Sequence, residues 1–126
     1  MPANVWSLSN RATGGTAATA TQNHPASASS AGTVVRLLSM QGTLIAGASA
    51  ATDTVQVLDG ATVIWQCDVS AAANTTAYTP QLMFDLRASI GNNLTVKFVN
   101  GAGTAEDINA QGDFPSAGTP YWGTTS

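Results

Sequence analysis

His24 is the only histidine of this chain and Cys67 its only cysteine, so imidazole or thiolate chemistry would have to be built on one of these two. His24 stands beside Pro25 inside a run of very small residues. A general base needs a partner that orients it and a dry pocket that tunes it. Such a run supplies neither, and no catalytic role is expected of His24. Cys67 shares a period-two pattern with Val63, Trp65 and Val69. It reads as a small apolar residue facing a core, not as a reactive thiol. One His and one Cys also exclude an internal disulfide and leave a transition-metal site without enough ligands.

The seven carboxylates are Asp53, Asp59, Asp68, Asp85, Glu106, Asp107 and Asp113, and most stand next to turn residues or expected strand ends. Glu106 and Asp107 are the one adjacent pair. A glycosidase-like dyad needs two acids facing each other across a cleft, whereas neighbours on an extended chain point to opposite faces. Asp107, Asn109 and Asp113 offer hard oxygens for Ca²⁺, but their spacing matches no calcium loop and turn chemistry accounts for them more simply. Gly14-Gly15 and Gly101-Ala102-Gly103 are followed by no Lys-Ser/Thr and no helix, so neither is a phosphate loop. The expectation is therefore no catalytic residue, no metal and no cofactor: not an enzyme, and no small-molecule substrate.

The elements that would position these groups read as short strands. Thr54–Leu58 and Thr62–Val69 flank Asp59-Gly60-Ala61, and Asp-Gly between β-branched runs is a hairpin signal because Gly accepts positive φ. Leu82, Phe84 and Leu86 alternate, as do Leu94, Val96 and Phe98, with Ser89–Asn93 as the turn between them. Thr33–Met40 and Gly42–Ala46 are expected to be separated by a bend or bulge at Gln41-Gly42. Residues 70–80 read as a polar loop, Asn100–Thr104 as a turn, and Ile108–Phe114 as a last short strand. The pattern predicts an all-β protein, an antiparallel β-sandwich or jelly roll.

Ahead of this lies an unusual stretch. From Ala12 to Gly32, seventeen of twenty-one residues are Ala, Gly, Ser or Thr, with no charged and no large apolar side chain. Such a segment buries too little surface to offset its ordering entropy. The sequence thus divides into an extended N-terminal arm over 1–32, a sandwich core over 33–114 and a C-terminal tail over 115–126. If fully extended, the small-residue stretch would reach about 70 Å at ~3.3 Å per residue. Val5, Trp6 and Leu8 near one end, and Tyr121 and Trp122 near the other, are apolar groups in small, polar surroundings. They are expected to be interface anchors, with sugar stacking by Trp6, Tyr121 and Trp122 as the alternative.

Composition narrows the partners. Of 126 residues only 9% are charged, the net charge is −3, and Arg11, Arg36, Arg87 and Lys97 are scattered. No nucleic-acid footprint exists in that distribution. No run approaches the ~20 apolar residues of a membrane-spanning helix, and MPANVWSLSNR lacks the form of a secretory signal. Asn74-Thr75-Thr76 and Asn93-Leu94-Thr95 then read as chance glycosylation patterns. A core of roughly 90 residues with so little charge favours a chain that spends its life covered, as a homo-oligomer or on a larger surface.

The order of motifs, Asp59-Gly60-Ala61-Thr62-Val63-Ile64-Trp65, then DLRASIGNNLTV over 85–96, then NAQGDF over 109–114, resembles small virion proteins of tailed bacteriophages. The resemblance spans about residues 33–114 and is similar to capsid decoration (cement) proteins, with related modules in tails and fibres. It implies a β-sandwich or jelly roll, a structural role on the capsid surface of the virion after synthesis in the host cytoplasm, the major capsid protein as partner, and a trimer. It carries over no catalytic residues. On this expectation residues 1–32 and the aromatic tail clamp neighbouring capsid subunits. The alternative is a receptor- or glycan-binding module of a tail or fibre.

Overall fold

The computed structural model describes residues 5–25, 32–80 and 82–118, with residues 82–84 described in their backbone alone. Among the described residues nine strands follow in chain order: β1 (Val5–Thr13), β2 (Thr19–Gln22), β3 (Arg36–Ile45), β4 (Ala51–Asp59), β5 (Thr62–Ala71), β6 (Thr76–Tyr78), β7 (Leu82–Arg87), β8 (Leu94–Phe98) and β9 (Ala105–Asp113). They form two antiparallel sheets packed as a β-sandwich. The first has the order β1-β9-β3, with β6 and β7 both pairing to β3. The second has the order β2-β8-β4-β5. Neither sheet closes into a barrel.

Alternation places the core. Leu94, Val96 and Phe98 of β8 point inward and are buried, and so do Val55 and Val57 of β4. Leu37 and Leu44 of β3, with Ile108 and Ala110 of β9, meet them from the other sheet. Each large aliphatic group so buried contributes about 1.5–3 kcal/mol. The β4–β5 hairpin turns at Gly60-Ala61, where Gly60 has φ 58° and Asp59 is paired with Thr62.

The expected arm is not an arm over residues 5–22. β1 pairs with the whole of β9, from Val5 with Asp113 to Thr13 with Ala105, and β2 pairs with β8. Ala18 and Ala20 are buried while Thr19 and Thr21 face outward. Small side chains here fill a thin part of the sandwich, and the ladders supply backbone hydrogen bonds in place of bulk. Residues 26–31 of that stretch lie outside the described residues.

Two local expectations also change. Gln41-Gly42 is no bulge: β3 runs through it, with Gly42 paired with Ile108. A Cβ on Gly42 would lie 3.1 Å from Val55 and 3.3 Å from Phe98, so the absent side chain lets the other sheet approach. The irregularity in β3 falls instead between Leu37 and Ser39. In β5 the register shifts opposite Val57 and Leu58, leaving Ile64 as the extra residue. Ile64 and Trp65 then both pack on the core while Val63 is exposed, which ends the simple alternation expected there. Part of the expected 70–80 loop is strand β6, and the last strand begins at Ala105, not at Ile108.

Candidate functional site

The outer face of the first sheet collects polar side chains in register. β1 presents Ser7, Ser9 and Arg11, β9 presents Gln111, Asn109 and Asp107, and β3 presents Ser39, Gln41 and Thr43. Pairing aligns these as rows Ser7-Gln111-Ser39, Ser9-Asn109-Gln41 and Arg11-Asp107-Thr43, and β6 extends the third row with Tyr78 beside Thr43. Strand spacing makes this four-strand row about 14 Å wide. Tyr78 is 61% exposed, an aromatic ring at the rim of a hydroxyl- and amide-covered surface.

Within the rows, Arg11 donates to both carboxylate oxygens of Asp107, from Nε at 2.6 Å and from Nη2 at 2.8 Å. The hydrogen bond and charge of the guanidinium hold the Asp107 carboxyl below its ordinary range. The pair fixes Arg11 as a flat, charge-balanced group on the sheet. Ser39 Oγ donates to Gln111 Oε1 at 2.8 Å. The side chains of Ser9, Gln41, Thr43 and Asn109 make no hydrogen bond among the described residues, so their donors and acceptors face solvent unspent. Two shallow depressions mark the face. One of about 260 Å³ is lined by Ser9, Asn10, Arg11, Asp107, Ile108 and Asn109. The other, of about 180 Å³, is lined by Ser39, Met40, Gln41, Asn109 and Gln111. Neither is deep enough to engulf a compact ligand, and both suit contacts with an extended one.

The outer face of the second sheet is also polar but is spent on itself. Thr21 and Thr95 share a hydrogen bond at 3.0 Å, as do Thr52 and Ser70. Thr54 Oγ1 donates to Asp68 at 2.7 Å and Gln56 Nε2 to Gln66 at 3.1 Å. Cross-strand pairs of this kind knit strands together and leave fewer groups for a partner.

The residues singled out in the sequence are dispersed. Trp6 is buried in the chain's own sandwich, packed over Gly112, with Nε1 donating to the Asp113 carbonyl at 3.2 Å. It is thus a core residue and has no free face for a partner or a sugar. Leu8 is half-buried against the same core, and Val5 is 75% exposed at the start of β1. Tyr121 and Trp122 lie outside the described residues. His24 is held in place, its backbone N–H donating to Asn93 Oδ1 at 2.8 Å and its Nε2 lying 2.9 Å from the Thr33 carbonyl.

The oxygens weighed for calcium are strung along β9. Asp107 pairs with Arg11 at one end, and at the other Asp113 accepts two hydrogen bonds from Arg36, at 2.8 and 2.7 Å. Six residue steps along the strand separate them by about 20 Å. Among the described residues no group of three or more His, Cys, Asp or Glu is placed to hold a metal ion.

Between the sheets stands a pair of acids that the sequence reading placed near turns. Asp53 of β4 and Glu106 of β9 are both fully buried, and their carboxylates are brought together at one shared donor, the Ala102 backbone N–H. Asp53 also accepts from the backbone N–H groups of Thr54, Asn100 and Ala102 at 2.7–3.3 Å. Glu106 Oε2 accepts from the Ala102 N–H at 3.2 Å. Burial, then the Asp53 hydrogen bond and charge, push Glu106 up to about 8, against the pull of the Ala18 and Ala102 N–H groups. Burial also acts to raise Asp53, but its hydrogen bonds outweigh that and hold it low. The signal was present in the sequence: Asp53 shares the parity of Val55 and Val57, and Glu106 that of Ile108 and Ala110. Tyr78 was missed because its three-residue strand sits in a stretch of loop composition.

No protein-family model and no curated protein matches the chain. Among solved structures it is similar to the Tobacco streak virus coat protein, with 12% identity and a TM-score of 0.37 over 95% of this chain and 93% of that one. It is similar as well to the carbohydrate-binding module CBM36 in complex with calcium and xylotriose, with 12% identity and a TM-score of 0.34 over 91% of each chain. The chain is thus a small β-sandwich with a weak, low-identity likeness to a viral coat protein and to a carbohydrate-binding module, a likeness too distant to carry an argument about function.

Proposed function

We propose that this chain is a non-enzymatic binding module that takes an extended, uncharged carbohydrate on the outer face of its first sheet, as a receptor-binding part of a phage tail or fibre. One observation carries the reading. Ser9, Asn109, Gln41 and Thr43 hold unspent hydroxyl and amide groups in register, beside a charge-balanced Arg11–Asp107 pair and the exposed ring of Tyr78. Sugars offer hydroxyls that donate and accept at once, together with apolar ring faces. Amides and hydroxyls answer the first, and an exposed aromatic answers the second. A surface without net charge fits neutral glycans better than acidic ones. The strand order, β1-β9-β3-β6 against β2-β8-β4-β5, supports reading the sandwich as a jelly roll. The test is a glycan array probed with the full chain and with Asn109→Ala and Tyr78→Ala. Binding of a neutral oligosaccharide that both substitutions weaken supports the proposal. Binding that neither alters places the ligand elsewhere.

Capsid decoration is the second reading, and the sheet edge favours it. β5 ends the second sheet over ten residues and carries exposed Val63, a long edge on which a neighbouring chain could add a strand. Clamping by an N-terminal arm is no part of it, since residues 5–22 belong to the sandwich. The copy number of the chain in an intact virion separates the readings: hundreds of copies accord with the shell, tens with the tail.

A further inference from the structure

Within the apolar core between the two sheets, one buried contact is between acids. Glu106 enters from β9, between Ala12 of β1 and Leu44 of β3, and Asp53 enters from β4 beside Val69 of β5. The 99–104 turn and Ala18 close over the pair with N–H groups. Glu106 Oε1 is buried and has no hydrogen-bond donor. An ionised Glu106 would leave that oxygen unsatisfied beside a second carboxylate, a double penalty in a dry interior. A proton on Glu106 removes the second charge and supplies a donor that the neighbouring Asp53 carboxylate, reached by the same Ala102 N–H, can accept. A cation is a poor substitute, because the groups surrounding the pair are N–H donors and not oxygen ligands.

Among the described residues no other ionisable group faces the pair. Its cross-strand neighbours Ala12, Leu44 and Val69 are apolar, and Ala18 and the Asn100 and Ala102 backbone complete its surroundings. Arg11 and Asp107 stand on the outer face of the first sheet, and Asp68, bonded to Thr54, and Lys97, paired with Gln56, on that of the second.

We propose that Asp53 and Glu106 share one proton in the folded protein, and that this makes the sandwich a pH-responsive clasp, firmest in weak acid and loosened as the pH rises through neutrality. The sign follows from linkage. Glu106 binds its proton up to about pH 8 when folded but only to about 4.5 when exposed, so between these values the folded state holds the extra proton. Stability attributed to Glu106 is therefore complete below about 4.5, declines across the window and is gone above about 8. Asp53 acts oppositely and only below its ordinary value of 3.8, where acid removes its contribution.

The test is urea unfolding of the full chain across this pH range, beside Glu106→Gln, whose amide copies the protonated acid by donating to Asp53. The wild-type unfolding constant is expected to rise with pH, by up to roughly tenfold per unit, while that of the Gln variant stays nearly flat. A wild-type slope no steeper than the variant's would overturn the proposal. If the variant does not fold, infrared spectra of the wild type decide. A protonated-carboxyl C=O band near neutral pH that disappears on unfolding supports the shared proton, and its absence refutes it.

Discussion

Trp6 and Gly112 are cross-strand partners, and the indole of Trp6 fills the space that a side chain on Gly112 would need. A Cβ at position 112 would overlap both that ring and the Arg36 carbonyl oxygen, a backbone atom with little room to move. Gly112→Ala is expected to cost about 3 kcal/mol or more. Trp6→Ala, which empties the site instead, is expected to cost about 3–5 kcal/mol. Urea denaturation of the isolated protein checks both. An anchor reserved for a partner would leave the stability of the free chain unchanged.

Removing residues 1–22 deletes β1 and β2 and strips one edge strand from each sheet. The face of β9 that donates to β1 and the buried seat of Trp6 are then opened to water. The shortened chain is expected to lose its cooperative unfolding transition and to aggregate, as judged by near-ultraviolet circular dichroism and light scattering. A soluble, cooperatively folding product would return these residues to the status of an appendage.

On the proposed binding face, Arg11→Ala and Tyr78→Ala are expected to leave the denaturation midpoint almost unchanged, because both side chains are exposed. Each should weaken oligosaccharide binding about tenfold, measured by titration calorimetry. Binding should also fall in acid. Asp107 is held below its ordinary carboxyl range by Arg11, so the pair is intact above about pH 3.8 and opens as the pH drops through the lowered value.

Asp59 ties the hairpin to the turn between β7 and β8. Its carboxylate accepts from Ser89 N at 3.0 Å, Ser89 Oγ at 2.7 Å and Asn92 Nδ2 at 2.8 Å. Burial would raise this acid, and the Asn92 and Ser89 hydrogen bonds together overcome it and hold it low. Asp59→Ala is expected to cost about 1–2 kcal/mol, and hydrogen exchange should quicken at Ser89 and Asn92 first.

Large apolar residues made much of the fold legible. Leu94, Val96 and Phe98 declare a buried face by period alone, and Asp59-Gly60 announces its turn. Alanine did not announce itself in the same way. Ala18-Thr19-Ala20-Thr21 alternates as strictly as any strand here, but a methyl buries so little surface that composition hid the period. Gly42 and Gly112 were opaque for a related reason, since what they accommodate comes from residues far along the chain. The candidate site was legible as scattered Ser, Asn and Gln; only the register of β1, β9 and β3 makes rows of them. Asp53 and Glu106 carried the parity of their strands, and reading polar residues by parity would have put both inside.

The ladder from Val5 with Asp113 to Thr13 with Ala105 joins the first described strand to the last. A ribosome delivers β1 roughly a hundred residues before β9, its ladder partner among the described strands. Until Asp113 has cleared the exit tunnel, the growing chain holds a Trp with no seat and a sheet without its second strand. Closing so long a loop is slow, and contacts of this range delay folding. Completion of the sandwich therefore waits for the emergence of β9, and a ribosome stalled before it would display an adhesive half-sheet in place of a partly working domain.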